Sequence, residues 1–270
     1  MRFDFHLHTR YSDGTLSPVE LLEKLKNNGV CYFAITDHDT LSAHRELETQ
    51  AANSMKKFVG VEINTSENTE TLHILGFGSR LLSNEVFLKQ LSVLRTLRVQ
   101  RAEAMVGNLQ ALGFEITMED VRKKSQESIG RPHVADALKA KGIVQTREEA
   151  FRRFLLKGKP GYSPPLGPRA REAIASIADA GGVPVLAHPG IAGMGADKLV
   201  SLVDMGLKGI EAYHSCHKPS DVREYLEFAR RHDLFVTCGS DYHGPDTGRQ
   251  ELTAYEFDEA QFFKFLEAIS

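Results

Sequence analysis

The chain of 270 residues carries 33 Lys and Arg against 36 Asp and Glu, a formal net charge of −3, and 41% of its residues are hydrophobic. A chain of this size buries most of its unfolded surface, so we expect one substantial folded domain and no extensive disorder. The near-neutral charge argues against a general nucleic-acid or anionic-membrane binder, because affinity for phosphate comes mainly from an excess of basic residues.

Hydropathy and cysteine content predict where the protein works. No stretch approaches the roughly 18 consecutive apolar residues of a membrane-spanning helix, and the amino terminus lacks the apolar region of a signal peptide. Cys31, Cys216 and Cys238 form no CxxC pair, which suits a reducing compartment. We therefore expect a soluble, cytoplasmic protein with no membrane partner.

Short runs rich in Val, Ile and Phe alternate with segments of helical period, a pattern typical of β-α units around a largely parallel sheet. The first helix has a clear start, with Ser17 as N-cap, Pro18 next and Glu20 three residues after the cap. Seven strands are predicted, at residues 2–8, 31–36, 58–63, 71–77, 183–188, 208–213 and 234–239. The third and fourth are joined too closely for a crossover helix, so we expect a hairpin there. Further helices are predicted at 41–53, 169–180, 196–205, 219–231 and 258–268.

A wholly helical insertion is predicted from Ser83 to Gly167, between two parts of a barrel domain at residues 1–82 and 168–270. The insertion holds 15 Lys and Arg against 9 Asp and Glu, whereas the rest of the chain holds 18 against 27. We therefore expect a basic flap beside an acidic body. The alternative is a solvated helical subdomain that gained its lysines by drift.

Six of the 11 histidines lie at or beside predicted strand ends: His6, His8, His38, His73, His188 and His243. In a β/α barrel the carboxyl ends of the strands gather on one face, and active sites are built there. His6 and His8 point to the same side of their strand because side chains alternate along it. Two imidazoles at this spacing suit a divalent metal such as Zn, Mn or Fe, although a lone HxH pair is weak evidence.

Carboxylates join the histidines at these strand ends. Asp13 lies in a Ser-Asp-Gly turn, where a purely structural role is the alternative. Glu62 closes an apolar strand, where it is costly to bury unless it binds metal or pairs with Lys or Arg. Asp241 and His243 follow the last predicted strand between two glycines. Five separate strand ends thus supply His or carboxylate, and the favoured interpretation is a polynuclear metal centre.

These residues, in this order, resemble those of the polymerase and histidinol phosphatase (PHP) family of metal-dependent phosphoesterases. The resemblance spans nearly the whole chain and implies an α/β fold, a distorted seven-stranded (β/α)7 barrel. The motifs that carry it are His6-Leu7-His8 with Ser12-Asp13-Gly14, Thr36-Asp37-His38, Gly60-Val61-Glu62, His73, Ala187-His188-Pro189 and Ser240-Asp241-Tyr242-His243.

The resemblance also implies two or three divalent metal ions, of Mn, Zn or Fe, in three subsites. The first would consist of His6, His8, Glu62 and Asp241. The second would consist of Glu62, His73 and His188, with Glu62 shared. The third would consist of Asp13, His38 and His243. Asp13 stands where some relatives have histidine, so the third subsite is the one whose metal and occupancy we expect to differ.

Within the family, the long insertion resembles the branch that acts on nucleotides, which includes nucleoside 3′,5′-bisphosphate phosphatases and a 5′ to 3′ exonuclease of short RNA. We therefore expect hydrolysis of the 3′ phosphate of a nucleoside 3′,5′-bisphosphate by a metal-activated hydroxide. Asp241, Glu62 and His214 are predicted to be catalytic. The residues predicted to bind substrate phosphate are Arg131, His133, Lys159 and His214.

Each substrate contact has a structural alternative. Arg131 and His133 could stabilise a helix terminus, Lys159 could be a solvated loop residue, and His214 could be a core histidine. Other functions also stay open: cleavage of short 5′-phosphorylated RNA, hydrolysis of histidinol phosphate, or a non-catalytic metal-binding regulatory module. An amidohydrolase is disfavoured because we identify no metal-bridging lysine. Duplex DNA is disfavoured because it requires a broad basic track. The sequence predicts no particular oligomeric state.

Overall fold

The computed structural model describes residues 1–48, 55–67, 70–191, 193–256 and 258–270. Its strands form one sheet in the order β7-β6-β5-β4-β3-β2-β1-β8. They are β1 (Arg2–Asp4), β2 (Tyr32–Ile35), β3 (Lys56–Glu67), β4 (Glu70–Phe77), β5 (Val183–Leu186), β6 (Gly209–His214), β7 (Phe235–Gly239) and β8 (Tyr255–Glu256). The seven predicted strands are all present. The eighth, β8, was not predicted, because two residues are too few to show an alternating pattern.

The sheet curls until its first and seventh strands meet. Beyond the end of β1, the amide of Phe5 donates to the Cys238 carbonyl at 2.9 Å, and the amide of His8 donates to the Tyr242 carbonyl at 3.0 Å. The amide of Asp241 donates back to the His6 carbonyl at 2.9 Å. These bonds make a nearly closed barrel, which confirms the predicted fold class. Over residues 5–8 these separate hydrogen bonds take the place of regular strand pairing, so β1 is shorter than predicted.

The sheet is mixed, with one strand, β4, antiparallel to both of its neighbours. β3 and β4 form an antiparallel hairpin, as predicted, with Gly60 opposite Phe77. β4 also pairs with β5 in antiparallel fashion. The pairs β1-β2, β2-β3, β5-β6 and β6-β7 are parallel, so their carboxyl ends open on one rim of the barrel.

The helices alternate with the strands or fill the insertion. They are α1 (Pro18–Asn27), α2 (Ser42–Glu46), α3 (Glu85–Ala111), α4 (Met118–Arg122), α5 (Arg131–Ala140), α6 (Arg147–Ala150), α7 (Ala170–Asp179), α8 (Ala196–Asp204), α9 (Pro219–Arg231) and α10 (Glu259–Ala268). Ser17 and Glu20 form the predicted capping box of α1. α2 begins without a side-chain cap and ends earlier than predicted, and residues 49–53 of that prediction lie outside the described residues. In the described parts of the chain, no helix is both long and apolar enough to cross a membrane.

The helical insertion, residues 83–167, packs around a core of its own that includes Met105, Leu109 and Leu138. It contains α3 to α6 and a π-helical turn, and the structure describes all of its residues. It docks on the loop that carries Asp13: the Ser128 amide donates to the Tyr11 carbonyl at 2.8 Å. This docking places the insertion above the strand ends.

Candidate metal centre and substrate cavity

Glu62 lies at the middle of the predicted site. It projects from β3, and its side chain is 1% exposed. Nitrogens of five imidazole rings surround its two carboxylate oxygens at 2.6–3.4 Å, those of His73, His38, His8, His188 and His6. The rings come from the ends of four different strands or from the loops that follow them. One buried carboxylate thus joins residues that are far apart in the sequence.

Two further carboxylates complete the cluster. Asp241, directly after β7, places Oδ1 at 3.3 Å from His8 Nε2 and at 3.5 Å from both His6 Nε2 and His243 Nδ1. Asp13 places Oδ1 at 3.3 Å from His243 Nε2, and its Oδ2 lies 3.7 Å from His38 Nε2. All nine residues predicted to ligate metal therefore lie in one buried group.

The donor set fits divalent cations. Two ligand atoms bound at about 2.1 Å to one ion, and about 90–110° apart, lie about 3.0–3.4 Å from each other, which is close to the spacing in this cluster. Several of the inward-facing atoms are buried without a hydrogen-bond partner: His6 Nε2, His8 Nε2, His38 Nδ1, Asp13 Oδ1, Glu62 Oε2 and Asp241 Oδ1. Buried polar atoms are rarely left unsatisfied, and cations bound between these atoms would satisfy them.

The structure groups the ligands somewhat differently from the predicted subsites. Within each group the donor atoms lie within 4.8 Å of one another. His188 falls with His6 and Asp241, and His38 falls with Glu62 and His73 as well as with the third set. The four groups are His8, Asp13, His38 and His243; His6, His188 and Asp241; His6, His8 and Glu62; and His38, Glu62 and His73. Because the groups share members, neighbouring ions would share ligands.

Electrostatics keep the acids ionised. Burial alone would raise the pKa of Glu62, but His38, His73 and His6 hold it well below its usual value. In the same way, burial lowers the pKa of His8, yet Asp241 and Glu62 raise it to about 10. Protons and metal ions compete for the same nitrogens, because a ligating imidazole must be neutral. The cluster therefore attracts both protons and divalent metal ions.

The backbone is strained where the cluster is built. Asp39, His188 and Asp241 all have positive φ angles, of 54°, 27° and 54°. Residues other than glycine seldom adopt this conformation, and it is concentrated at functional sites. Each of the three lies in the loop that follows a strand, at the carboxyl-end rim of the barrel.

Sequence analysis missed the buried acids that support the ligands. Glu211 on β6 is fully buried, and its Oε1 lies 3.0 Å from His6 Nδ1. Asp37 accepts hydrogen bonds from the Thr9 amide at 2.7 Å and the Ser12 hydroxyl at 2.6 Å, which holds the loop leading to Asp13. Both acids stand within or just after an apolar strand, the same signal that identified Glu62.

A cavity of about 230 Å³ opens directly above the cluster. Asp13, His38, His73 and His243 form part of its wall, and residues of the helical insertion form the rest. Five arginines line it: Arg98, Arg101, Arg131, Arg147 and Arg249. The cavity therefore lies between an acidic, imidazole-rich floor and a cationic roof.

Three of these arginines already have carboxylate partners. Arg98 pairs with Asp39, Arg147 with Asp136 at 2.6 Å, and Arg249 with Asp241. These pairs neutralise much of the positive charge of the roof.

Arg101 and Arg131 differ from the other three, because neither has a carboxylate partner among the described residues. Arg101 donates to the Ser163 carbonyl at 3.1 Å, and its Nη2 is buried without a partner. Burial, together with Arg131 and Arg98, lowers the pKa of Arg101 to about 9. The Arg131 guanidinium lies over the Phe151 ring, 5.6 Å from its centroid. Two neighbouring guanidinium groups in this state are suited to bind an anion.

The structure separates the four residues predicted to bind phosphate. Arg131 lines the cavity, but His133 and Lys159 do not. The His133 ring is buried between two backbone groups: Nδ1 accepts from the Gly130 amide at 2.8 Å and Nε2 lies 2.8 Å from the Ser12 carbonyl. These contacts correspond to the alternative given for His133 in the sequence analysis, the stabilisation of a helix terminus. Lys159 is exposed outside the cavity.

His214 lies beneath the cluster and outside the cavity. It is buried, and its Nε2 lies 3.6 Å from Asp241 Oδ2. Burial alone would lower the pKa of His214, but the Asp241 carboxylate raises it to about 9. It can therefore hold Asp241 in place, but it does not reach the cavity.

Comparisons with known proteins agree with this site. A family model, the PHP domain, matches residues 4–156. The chain belongs to the PHP domain family. It is 32% identical to a 3′,5′-nucleoside bisphosphate phosphatase of Chromobacterium violaceum, over 92% of this chain and 90% of that protein. It is 30% identical to the 5′-3′ exoribonuclease Rnm of Escherichia coli, over 90% and 85% of the two chains. A protein of Bifidobacterium adolescentis, provisionally named a metal-dependent phosphoesterase, has a crystal structure with a TM-score of 0.89 and 33% identity, over 98% and 96%.

The structural role of His133 predicts a specific pH dependence. Burial lowers its pKa from 6.5 to about 4, so the unfolded chain takes up a proton at a pH where the native ring does not. The stability that the neutral ring contributes is present above pH 6.5 and is lost as the pH falls toward 4, by up to about 3 kcal/mol. We expect urea denaturation of the metal-free protein to show a weaker loss in His133→Gln over this range. Parallel curves for the two proteins would contradict the assignment.

Proposed function

We propose that this PHP-family protein is a metal-dependent phosphomonoesterase that removes the 3′ phosphate from nucleoside 3′,5′-bisphosphates. The observation that carries the proposal is the pairing of a ligand-rich floor with a roof that holds two guanidinium groups lacking carboxylate partners. A substrate with two phosphates satisfies both, with one phosphate at each side of the cavity. The similarity to the bisphosphate phosphatase of Chromobacterium violaceum supports the same substrate class.

For the metal centre we propose two or three divalent ions, of Mn, Zn or Fe, held by the nine clustered residues. When bound, such ions lower the pKa of a water molecule and neutralise the negative charge of phosphoryl oxygens. Glu62 is suited to bridge two of them, because its two oxygens face different sets of imidazoles. Asp13 belongs to the third set, where its carboxylate adds negative charge that an imidazole would not.

The protein's own residues would orient the phosphate to be cleaved. Arg249 contacts Asp241, lines the cavity and has a side chain that is 40% exposed, so its guanidinium can meet a phosphoryl oxygen that approaches the cluster. His214 supports Asp241 from below. We therefore assign His214 a positioning role, rather than the substrate contact that the sequence predicted.

The other phosphate would bind in the roof. Arg101 and Arg131 offer several N–H donors and no competing carboxylate, and charged hydrogen bonds of this kind are strong. Met105 and Phe151 line the same side of the cavity and give an apolar surface for the nucleoside. By closing the cavity, the helical insertion would also exclude bulk water from the site.

Exonuclease activity on short 5′-phosphorylated RNA is the second candidate, because the chain is also similar to Rnm of Escherichia coli. The same two arginines would then hold the 5′ phosphate of the RNA. The cavity favours the smaller substrate, since about 230 Å³ is below the usual size of a pocket for a drug-sized ligand.

A panel of substrates tests the function. We expect the Mn-loaded protein to release phosphate selectively from the 3′ position of a nucleoside 3′,5′-bisphosphate. Nucleoside 5′-monophosphate, short 5′-phosphorylated RNA and histidinol phosphate are the comparison substrates, measured by phosphate release and product chromatography. Faster cleavage of RNA would favour the second candidate. Equal rates on all four would contradict the argument from two phosphates.

Substitution of the unpaired arginines tests the roof. We expect Arg131→Ala and Arg101→Ala each to raise KM for the bisphosphate by about tenfold or more, because each removes charged hydrogen bonds to the second phosphate. KM for a simple aryl phosphate should hardly change. Lys159→Ala is the matched control, since it removes a cation of the same insertion outside the cavity. An equal rise in KM for both substrates would contradict the assignment.

A further inference from the structure

Glu211 lies directly under the metal ligands, although it is not one of them. It is fully buried on β6. Its Oε1 and Oε2 lie 3.0 Å and 3.2 Å from His6 Nδ1, and Oε2 also accepts a hydrogen bond from the His188 amide at 2.8 Å. A single carboxylate therefore contacts two residues of the cluster, one through its ring and the other through its backbone.

The contact with His6 determines which ring nitrogen is free. A carboxylate accepts hydrogen bonds, so the pairing places the proton of the neutral ring on Nδ1. The other nitrogen, Nε2, then has a lone pair, and it faces Glu62 at 3.4 Å and Asp241 at 3.5 Å. Glu211 thus selects the form of His6 that can donate its lone pair into the cluster.

The contact with His188 acts on the backbone. His188 has a φ of 27°, a conformation that residues other than glycine seldom adopt. The hydrogen bond from its amide to Glu211 anchors this strained residue. The ring is thereby directed toward Glu62, with Nε2 at 3.2 Å from Oε1. The same carboxylate therefore aligns rings that follow β1 and β5, two strands that are not neighbours in the sheet.

The neighbouring strand leaves little freedom for this arrangement. A Cβ atom at Gly239 of β7 would lie 2.4 Å from Glu211 Oε1 and 2.2 Å from His6 Cβ, both closer than real atoms approach. Only glycine fits here, and its absence of a side chain lets the carboxylate and the imidazole meet. The close packing restricts Glu211 to this single pairing.

We propose that Glu211 is a positioning residue that fixes the tautomer of His6 and the backbone of His188, so that both rings face the same metal ions. The proposal rests on the metal centre described above. In this role Glu211 binds neither metal nor substrate, but it increases the affinity of the site for metal.

The test compares metal binding in two variants with matched chemistry. Glu211→Gln removes the charge next to the His6 ring. Asp4→Asn makes the corresponding acid-to-amide exchange in another fully buried acid. Asp4 accepts from the His6 amide at 3.2 Å and from the Ser240 amide at 3.0 Å, and does not contact the His6 ring. Competition with a chromogenic chelator measures Mn and Zn affinity, and elemental analysis counts the bound ions.

We expect Glu211→Gln to bind metal about 10–100-fold more weakly, the usual effect of removing such an outer carboxylate, and Asp4→Asn to bind within about threefold of the wild type. Unchanged affinity in Glu211→Gln would overturn the proposal. An equal loss in both variants would also overturn it, because the effect would then follow from burial of any acid at this rim.

Nuclear magnetic resonance tests the geometry in the wild-type protein, with a variant used only to assign the signal. In Zn-loaded wild-type protein with ¹⁵N-labelled histidine, we expect the His6 signal, identified by its loss in His6→Asn, to carry its proton on Nδ1. A proton on Nε2 would overturn the proposal. Neither experiment uses a phosphate ester. A protein that binds metal as expected but cleaves no phosphate ester would overturn the proposed function and leave this inference standing.

Discussion

The site depends on the burial of one carboxylate among five imidazole rings. Taking Glu62 out of water is unfavourable unless positive charge or hydrogen bonds compensate, and the rings supply that compensation with shared cations or protons. The rings come from four separate parts of the chain, so the barrel has to bring β4 and the loops after β1, β2 and β5 to one rim. Backbone strain at Asp39, His188 and Asp241, which have positive φ angles, accompanies this arrangement.

The helical insertion adds the opposite electrostatic surface. Its excess of 15 basic over 9 acidic residues indicates a cationic flap, but the structure shows that the count overstates the free charge. Arg98 and Arg147 are neutralised by Asp39 and Asp136, and Arg98 thereby ties the insertion to the barrel. Among the described residues, Arg101 and Arg131 are the cavity arginines without a carboxylate partner. The free positive charge of the cavity therefore depends on ion pairing as well as on net charge.

The ligands could be predicted from the sequence because they follow a local rule. Glu62 follows the apolar run Phe58–Val61 and His188 follows the apolar strand β5, and a polar residue in such a place has few purely structural uses. β3 itself continues past Glu62 to Glu67, so the strand end predicted at residue 63 was too early. The β3-β4 hairpin could also be predicted from the sequence, because the connection between the two strands is short. In contrast, the role of Glu211 depends on which ring it meets across the barrel, and periodicity within one strand carries no information about that.

The same lack of tertiary information explains why the predicted substrate contacts differ from the residues that line the cavity. His133 and Lys159 were predicted to bind phosphate, yet the first spans two backbone groups and the second is exposed. Arg101 lies on the long helix α3, where an arginine near the apolar face is an ordinary helical residue until its neighbours are known. Which groups an arginine contacts depends on the tertiary structure, so the surroundings of Arg101 could be recognised only in the folded protein.

The most direct measurement is an anomalous difference map from crystals grown with manganese, recorded on both sides of the Mn absorption edge. The account predicts at least two peaks flanking Glu62, each about 2.0–2.4 Å from one of its oxygens and from neighbouring imidazole nitrogens. A map with no peak at this rim, or with peaks only at exposed surface acids, would contradict it.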